Sequence, residues 1–345
     1  MATTKSKETT GVFGSGALSV RIAIALLLIA LLVPVVLGQF WVEVANEILI
    51  LGLFAMSFNL IYGYMGQISF GHAAFFGLGA YGTAMLFRHF AAATGEITYV
   101  QFFATFLTGA PLAALGALIV GFFCVRLTGI YFAILSLAFG ELAFFVIFSS
   151  YSVTGGDDGI QGLLPPPFFR DPANYYYLSL AVVVVCAGLL WRITQSPFGF
   201  ILRAMRDNQQ RTRFLGINVR RYMLINFVIA GTFAGIAGTL WGPFTRSVAP
   251  VLLGWQESGI AVFMTLIGGA NFFVGPMVGS VIYTFLHAWV TGFTAYWPLT
   301  IGLIIVVIVL FFPGGVLGSL GKWSETWRKR GTRAEDAAVD ERAEP

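Results

Sequence analysis

The stretch NLIYGYMGQISFGHAAFFGLGAYG, residues 59–82, places six glycines and the polar side chains of Gln67, Ser69 and His72 in an otherwise apolar sequence. Glycine loosens regular backbone structure. At membrane depth, irregular backbone and polar groups are tolerated only where protein encloses them or where they line a water-filled route. The surrounding sequence therefore has to establish whether this stretch lies within a membrane.

The composition is that of a membrane protein. Of the 345 residues, 57% are hydrophobic and 10% are charged, and the mean hydropathy is +0.82, whereas about a quarter of the residues in soluble domains are charged. Cys124 and Cys186 lie in apolar runs and are interpreted as small buried hydrophobes. These features exclude a set of soluble domains and a disulfide framework, and they favour one bundle of transmembrane helices.

A helix that crosses the bilayer core needs about 20 apolar residues. With the run from Ile22 to Leu37 interpreted as a transmembrane helix rather than a cleaved signal peptide, the sequence predicts an all-α, polytopic protein with about ten transmembrane helices. The third span could instead be a broken or re-entrant segment because of its glycines and polar residues. The predicted spans are 22–40, 44–62, 69–88, 100–124, 129–149, 176–192, 222–242, 258–272, 276–293 and 297–317.

The distribution of Lys and Arg predicts the orientation, because these residues favour the cytoplasmic side of a membrane. With ten spans and both termini in the cytoplasm, only Arg88, Arg170 and Arg246 of the 20 basic residues fall outside. The opposite orientation would leave only these three of the 20 basic residues in the cytoplasm. The sequence therefore predicts cytoplasmic N- and C-termini.

The predicted organisation has three parts: a cytoplasmic tail (1–21), a membrane domain (22–318) and a charged cytoplasmic tail (319–345). Two long connections interrupt the membrane domain, and long connections are often functional. We name them the Arg-rich loop (194–221), predicted to lie inside, and the Gly-Asp loop (150–175), predicted to lie outside. The candidate residues of the Gly-Asp loop are Gly155, Gly156, Asp157, Asp158 and Gly159.

The Arg-rich loop predicts an amphipathic helix from Phe198 to Leu215, with Gly216 as its stop. Spacings of three and four residues separate a polar face from an apolar face. The polar face carries Arg203, Arg206, Gln210 and Arg213, and the apolar side carries Ile201, Leu202, Met205 and Phe214. Such a helix could simply obey the positive-inside rule, lie on anionic membrane lipid, or fit a groove on a cytoplasmic partner.

No motif in the sequence predicts catalysis. Gly77–Gly82 matches G-x-G-x-x-G, but no strand precedes it, so its small residues are interpreted as sites of close helix packing, like those of Gly231–Gly235 and Gly238–Gly242. No Walker A, H-E-x-x-H or G-x-S-x-G sequence occurs, so no cofactor, metal or nucleic acid is expected. If ATP drives this protein, another chain must hydrolyse it. Glu141 lies mid-span and is either a functional carboxylate or a structural group between helices.

Five groups of motifs together resemble the LivM-type permease of high-affinity branched-chain amino acid ABC importers. They occur in the order found in that family and span about residues 55–318, which is most of the chain. The motifs are Asn59-Leu-Ile-Tyr-Gly-Tyr-Met-Gly-Gln-Ile-Ser-Phe-Gly-His72, Thr154-Gly-Gly-Asp-Asp-Gly159, Arg203-Ala-Met-Arg-Asp-Asn208 with Leu215-Gly-Ile-Asn-Val-Arg-Arg-Tyr-Met223, Leu266-Ile-Gly-Gly269 with Gly275-Pro276, and Pro313-Gly-Gly315.

The resemblance implies an α-helical permease subunit of an ATP-driven importer in the bacterial inner membrane. Its implied partners are a second, related permease, two cytoplasmic ATPases and a periplasmic solute-binding protein. The Arg-rich loop would dock an ATPase, although Gln210-Arg-Thr212 replaces the family's Glu-Ala-Ala pattern. Related permeases serve urea, amides and aromatic acids besides branched-chain amino acids, so the solute stays open. The candidate docking residues are Arg203, Arg206, Asp207, Arg213, Leu215 and Gly216.

A transporter needs a span that can deform beside a water-filled route. Residues 63–72, which we name the glycine-rich segment, are predicted to be that span. The candidate path residues are Gly63, Gly66, Gln67, Ser69, Gly71, His72 and Glu141. The alternative is a tight hairpin that needs glycines for turning and polar groups for its backbone. For the whole chain, the alternative is an ion-gradient-driven secondary transporter with Glu141 as its main ionisable group.

Overall fold

The computed structural model describes residues 30–95, 97–293, 296–311 and 314–319. The predicted N-terminal tail, residues 22–29 of the first predicted span, Pro313 and nearly all of the charged C-terminal tail lie outside the described residues. The described chain is helical over 30–36 and 315–319. Between these two stretches it folds into a bundle of helices joined by short turns and two longer loops.

The helices are numbered in chain order. They are α1 (Gln39–Asn59), α2 (Ala73–Thr94), α3 (Tyr99–Cys124), α4 (Ile130–Ser149), α5 (Tyr151–Thr154), α6 (Pro172–Gln195), α7 (Pro197–Asp207), α8 (Gln209–Phe214), α9 (Val219–Thr245), α10 (Trp255–Gly268), α11 (Gly275–Thr291) and α12 (Trp297–Phe311). A π-helical turn, Leu60–Tyr64, continues α1, and 3₁₀ turns form Gly156–Asp158, Pro167–Arg170 and Pro250–Leu253. Strands β1 (Ile160–Gln161) and β2 (Ser247–Val248) pair antiparallel, with Ile160 opposite Val248.

The architecture is that of a multi-pass helical membrane protein. Within the described residues, five helices are long and apolar enough to cross a membrane: α1 with its π-turn, α3, α4, α6 and α9. Many large apolar side chains on α3, α4 and α12 are exposed at the surface of the bundle, as expected for helices that face lipid. At 14 and 15 residues, α10 and α12 are shorter than the roughly 20 residues of a full crossing. The number of ten spans and the sidedness stay predictions.

Glycine allows the central helices to pack closely. Helix α9 packs most extensively against α2 and α3, and small residues form their contacts. A Cβ added to Gly79 would lie 2.6 Å from the Gly235 Cα, and one added to Gly109 would lie 2.8 Å from the Thr83 Oγ1. The prediction that the Gly77–Gly82 and Gly231–Gly235 stretches serve helix packing is therefore confirmed.

Several predicted helix boundaries differ from the structure by a few residues, and two differences bear on the candidate site. The third predicted span begins at Ala73 rather than at residue 69, because the preceding residues form turns. The single helix predicted from Phe198 to Leu215 is divided into α7 and α8. Asn208 separates them with an extended φ of −160°, and its side chain accepts a hydrogen bond from Arg211 N at 2.8 Å, which caps α8.

This division changes which side chains share a face. Arg203 and Arg206 belong to α7, whereas Arg213 belongs to α8. Leu202 and Met205 are buried, as the predicted apolar face requires, but Phe214 is 90% exposed. Phe214 therefore does not belong to the buried apolar face of α7.

Candidate functional site

The glycine-rich segment begins within the π-turn, Leu60–Tyr64, whose hydrogen bonding departs from the α-helical pattern. The backbone N–H of Gln67 reaches back to the carbonyl of Ile61 over 3.0 Å. The carbonyl of Leu60 instead accepts from the side-chain Nδ2 of Asn226 on α9 over 2.8 Å. Turns of this kind frequently occur at functional sites, because they free backbone groups for side chains or ligands.

The polar side chains of the segment are enclosed by protein. Gln67 is 6% exposed, and its Oε1 accepts a hydrogen bond from the backbone N–H of Gly129 over 2.7 Å. This bond holds the segment against the start of α4. Ser69 is fully buried, and its hydroxyl has no hydrogen-bond partner among the described residues. Gly66 has a φ of +73°, a conformation that favours glycine.

His72 is fully buried in an aromatic cage. Its ring stacks on Phe54, with centroids 5.5 Å apart, and its Nε2 lies 2.9 Å from the Ser57 Oγ. The Ser57 hydroxyl donates to the carbonyl of Phe54, so the hydrogen bond to His72 requires the imidazole Nε2–H to donate. The Nδ1 atom is then an acceptor, and it has no partner among the residues that the structure describes.

The end of the segment is wedged between α4 and α10. The backbone N–H of Phe70 donates to the Ser136 Oγ over 3.2 Å, and that of Ala73 donates to the Ser258 Oγ over 2.9 Å. A Cβ on Gly71 would lie 2.8 Å from the carbonyl carbon of Ser136. The backbone from Gln67 to Ala73 therefore lies between α4 and α10, at what we name the α4–α10 seam, while the His72 side chain points toward α1.

Glu141 lies further along the same seam, directly after Gly140. Its Oε1 accepts a hydrogen bond from the backbone N–H of Trp255, the first residue of α10, over 3.2 Å. A carboxylate at a helix N-terminus is favoured by the helix dipole. A cleft of about 340 Å³ opens here, which is within the range of small-molecule sites. Its lining residues are Glu141, Phe144, Asp157, Pro250, Val251, Gly254, Trp255 and Gln256.

The Gly-Asp loop is a folded turn. Gly155, Gly156 and Gly159 have φ values of +81°, +56° and +63°, so side chains at these positions would be strained. Both aspartates are exposed, and Asp157 lines the cleft, whereas the backbone carbonyl of Asp158 accepts a hydrogen bond from Gln161 Nε2. Of the five predicted residues in this loop, Asp157 is the one that lines the cleft beside Glu141.

The two arginines of α7 point into their own chain. Arg203 Nη2 donates to the carbonyl of Thr194 over 3.2 Å, and its guanidinium lies 4.6 Å from the ring centroid of Phe200. Arg206 donates to the carbonyl of Gly63 and to the Oδ1 of Asn271. These bonds attach α7 to the membrane bundle.

The exposed surface of the Arg-rich loop is largest around the end of α8. Phe214 is 90% exposed and Leu215 is 74% exposed, and the side chains of Arg213 and Asp207 are also exposed. Gly216 has a φ of +82°, so it ends this stretch as the sequence predicts. Two adjacent large apolar side chains at the tip of a cationic loop form a compact surface for contact with another molecule.

Sequence reasoning did not identify the partners of the segment. Ser136 binds the backbone of the segment, and Ser258 and Asn226 bind the flanking residues Ala73 and Leu60, from 66 to 185 residues away along the chain. Isolated serines in apolar helices carry no signal that names their partners. Asn271 is a polar residue near the end of the eighth predicted span, but nothing in the sequence connects it with Arg206.

A bundle of long apolar helices, with a cleft beside an intramembrane carboxylate and an exposed cationic loop, is consistent with a membrane transport permease. The family described as branched-chain amino acid transport system / permease component matches residues 40–312. The chain belongs to this family.

Named relatives agree with this assignment. The high-affinity branched-chain amino acid transport system permease protein LivM of Escherichia coli K12 is 25% identical, over 85% of this chain and 74% of its own length. LivM of Salmonella typhimurium LT2 is 27% identical, over 85% and 73%. The guanosine ABC transporter permease protein NupP of Bacillus subtilis 168 is 35% identical, over 34% of each chain. No solved structure matches the chain.

Family membership decides between the classes that the sequence left open. The chain is a permease subunit of an ABC transporter, so the prediction of a transport subunit rather than an enzyme is confirmed, and ATP hydrolysis belongs to separate subunits. A permease subunit of an ATP-driven transporter is thereby favoured over an ion-gradient-driven carrier.

Proposed function

We propose that this chain is the LivM-type subunit of an ATP-driven importer for branched-chain amino acids, or for a related small solute, in the bacterial inner membrane. The observation that carries the proposal is the family match over residues 40–312. This range includes the glycine-rich segment, the cleft at Glu141 and the Arg-rich loop. A guanosine permease among the relatives keeps other small polar solutes within the proposal.

The proposed assembly contains a second, related permease, two cytoplasmic ABC ATPases and a periplasmic solute-binding protein. Similarity to LivH permeases as well as LivM supports the pairing of two permeases. The proposed topology has about ten spans, with both termini in the cytoplasm. The basic residues of the Arg-rich loop support a cytoplasmic position for this loop.

The exposed tip of the Arg-rich loop is proposed as the ATPase-docking surface. Phe214 and Leu215 would enter a groove on the ATPase, and the cationic residues around them would steer the encounter. The side chains of Arg203 and Arg206 are already bonded within the chain. Their proposed contribution is therefore to hold α7 in place rather than to contact the ATPase directly.

The cleft at Glu141 is proposed as a solute contact on the transport path. Glu141 and Asp157 would attract the ammonium group of an amino acid. Phe144 and Val251 supply apolar wall for a branched side chain. A site at the start of a short helix agrees with the way transporters use discontinuous helices.

Between the cleft and the Arg-rich loop, the glycine-rich segment is the proposed continuation of the path. The unpartnered Ser69 hydroxyl and His72 Nδ1 support this, because buried polar atoms usually have partners and an orphan suggests a place for water or solute. The hydrogen bond from Gly129 to Gln67 and the close contact of Gly71 with α4 support the hairpin alternative equally well. Substitution of Ser69 separates the two.

Ser69→Ala removes a hydroxyl that no described residue uses, so folding and assembly are expected to be unchanged. If the segment lines the path, solute uptake falls. Ser179→Ala is the matched control, because Ser179 on α6 is also fully buried with an unpartnered hydroxyl. Equal uptake by both variants would leave the segment a structural hairpin.

The experiment for the whole proposal is affinity purification of the tagged chain from its native membrane in a mild detergent, followed by reconstitution into liposomes. We expect recovery of a second permease and two ATPases, and uptake of radiolabelled leucine that requires ATP and the binding protein. Recovery of the chain alone, with uptake driven by an ion gradient, would overturn the proposal.

A further inference from the structure

Arg206 joins three segments that are far apart in the sequence. It lies in the last turn of α7 and donates through Nη1 to the carbonyl of Gly63 in the π-turn. Through Nη2 it donates over 2.7 Å to the Oδ1 of Asn271, in the loop between α10 and α11. A planar guanidinium can bind two acceptors in a fixed geometry, which a lysine cannot reproduce.

The π-turn makes the Gly63 carbonyl available to Arg206. In an α-helix this carbonyl would accept from the N–H four residues later, that of Gln67. Here the Gln67 N–H bonds to Ile61 instead. The irregular turn therefore creates the acceptor that ties the end of α1 to α7.

The base of the Arg206 side chain packs against Gly66, although the side chain as a whole is exposed. A Cβ on Gly66 would lie 2.9 Å from the Arg206 Cγ and 3.3 Å from its Cβ. Gly63 itself packs against the carbonyl of Ala270, next to Asn271. The π-turn, α7 and the α10–α11 loop thus meet at one junction. A small displacement of α7 would therefore also move the π-turn and the loop.

Helix α10 connects this junction to the cleft. Its last turn leads into the loop that holds Asn271, and its first residue, Trp255, is bound by Glu141 in the cleft. With 14 residues it is a rod of about 21 Å. Movement of α7 would therefore shift α10 and change the cleft at its far end.

We propose that Arg206 is the positioning residue that couples movement of the Arg-rich loop to α10, and hence ATP hydrolysis on a partner chain to the opening and closing of the cleft. This inference rests on the proposed function. It assigns Arg206 to transmission within the permease, whereas Phe214 and Leu215 make the docking contact.

The test uses the complete importer in liposomes with its binding protein, and it measures radiolabelled leucine transported per ATP hydrolysed. Arg206→Ala is expected to retain the ATPases and their hydrolysis while transport per ATP falls about tenfold, the scale of a lost charge-assisted hydrogen bond. Transport per ATP by Arg206→Lys should lie between the values for the wild type and Arg206→Ala, because a point charge does not bridge both acceptors. Arg192→Ala is the matched control, since Arg192 on α6 is exposed and its side chain has no hydrogen-bond partner in the described part of the chain.

Asn271→Ala supplies an independent test, because it removes one acceptor without altering α7. It should lower transport per ATP, and in the double variant with Arg206→Ala the two losses should not add. Unchanged transport per ATP in both single variants would overturn the inference, as would loss of transport that only follows loss of ATPase binding. If the wild-type importer itself shows no ATP-dependent uptake, the proposed function fails, and the coupling role falls with it.

Discussion

Substitution of Gly71 by Ala tests the packing of the α4–α10 seam. Gly71 has no positive φ, so alanine is acceptable to the backbone, and the effect of the substitution isolates the contact with α4. The new Cβ would lie 2.8 Å from the carbonyl carbon of Ser136, closer still to its oxygen, and 3.3 Å from the backbone N of Gly140. The obstacles are backbone atoms of a helix, so they cannot turn aside as a flexible side chain would.

The size of the effect follows from this geometry. A separation of 0.6 Å would bring the carbonyl carbon from 2.8 Å to an ordinary contact of 3.4 Å, but the carbonyl oxygen is closer, so the segment and α4 must separate by more than that. Overpacking by one methyl group typically costs about 1–3 kcal/mol, and immobile backbone favours the upper part of that range. By the scaling of large soluble domains, the midpoint of thermal unfolding should fall by roughly 5–8 °C.

The assay is thermal unfolding of the purified chain in detergent. Unfolding is monitored by fluorescence and by loss of the monodisperse peak. Gly188→Ala is the control, because a Cβ at Gly188 within α6 meets nothing within 4 Å. There the gain in helix propensity of about 0.5–1 kcal/mol should leave the midpoint unchanged or slightly raised. If Gly71→Ala unfolds at the wild-type temperature, the close approach of the segment to α4 is incorrect.

Three further substitutions test other contacts. Gly79→Ala should destabilise the chain by about 1–3 kcal/mol, because the new Cβ meets the backbone of Gly235; an unchanged midpoint would argue against the close packing of α2 and α9. Glu141→Ala should lower leucine uptake more than Glu141→Gln, because the amide oxygen can still accept from Trp255 N; equal uptake by both would show that this bond has no role in transport. Phe214→Asp should reduce copurification of the ATPases about tenfold or more while Phe214→Leu retains it, because the exposed ring is proposed to be buried in the partner; undiminished recovery with Phe214→Asp would refute the docking surface.

Several features of the site were predictable because they depend on local chain chemistry. Gly216 was predicted as a helix stop, and it adopts a φ of +82°. The small residues of Gly77–Gly82 were predicted to allow close helix approach, and Gly79 does contact Gly235. The break at Asn208 was missed, because the residues on both sides favour a helix. The capping bond from Arg211 N to the Asn208 side chain stabilises a new helix start there and outweighs that helix propensity.

The sequence by itself determined the class and the family of this protein. Its 57% hydrophobic content and long apolar runs leave a lipid-embedded helical bundle as the stable solution. Only the tertiary structure decided which groups meet: Arg206 with Gly63 across 143 residues, and Glu141 with the N–H of Trp255 across 114 residues. Both bonds depend on backbone groups, which every residue carries, so no sequence pattern marks them; the packing of α4, α7 and α10 against the π-turn and the glycine-rich segment brings them together.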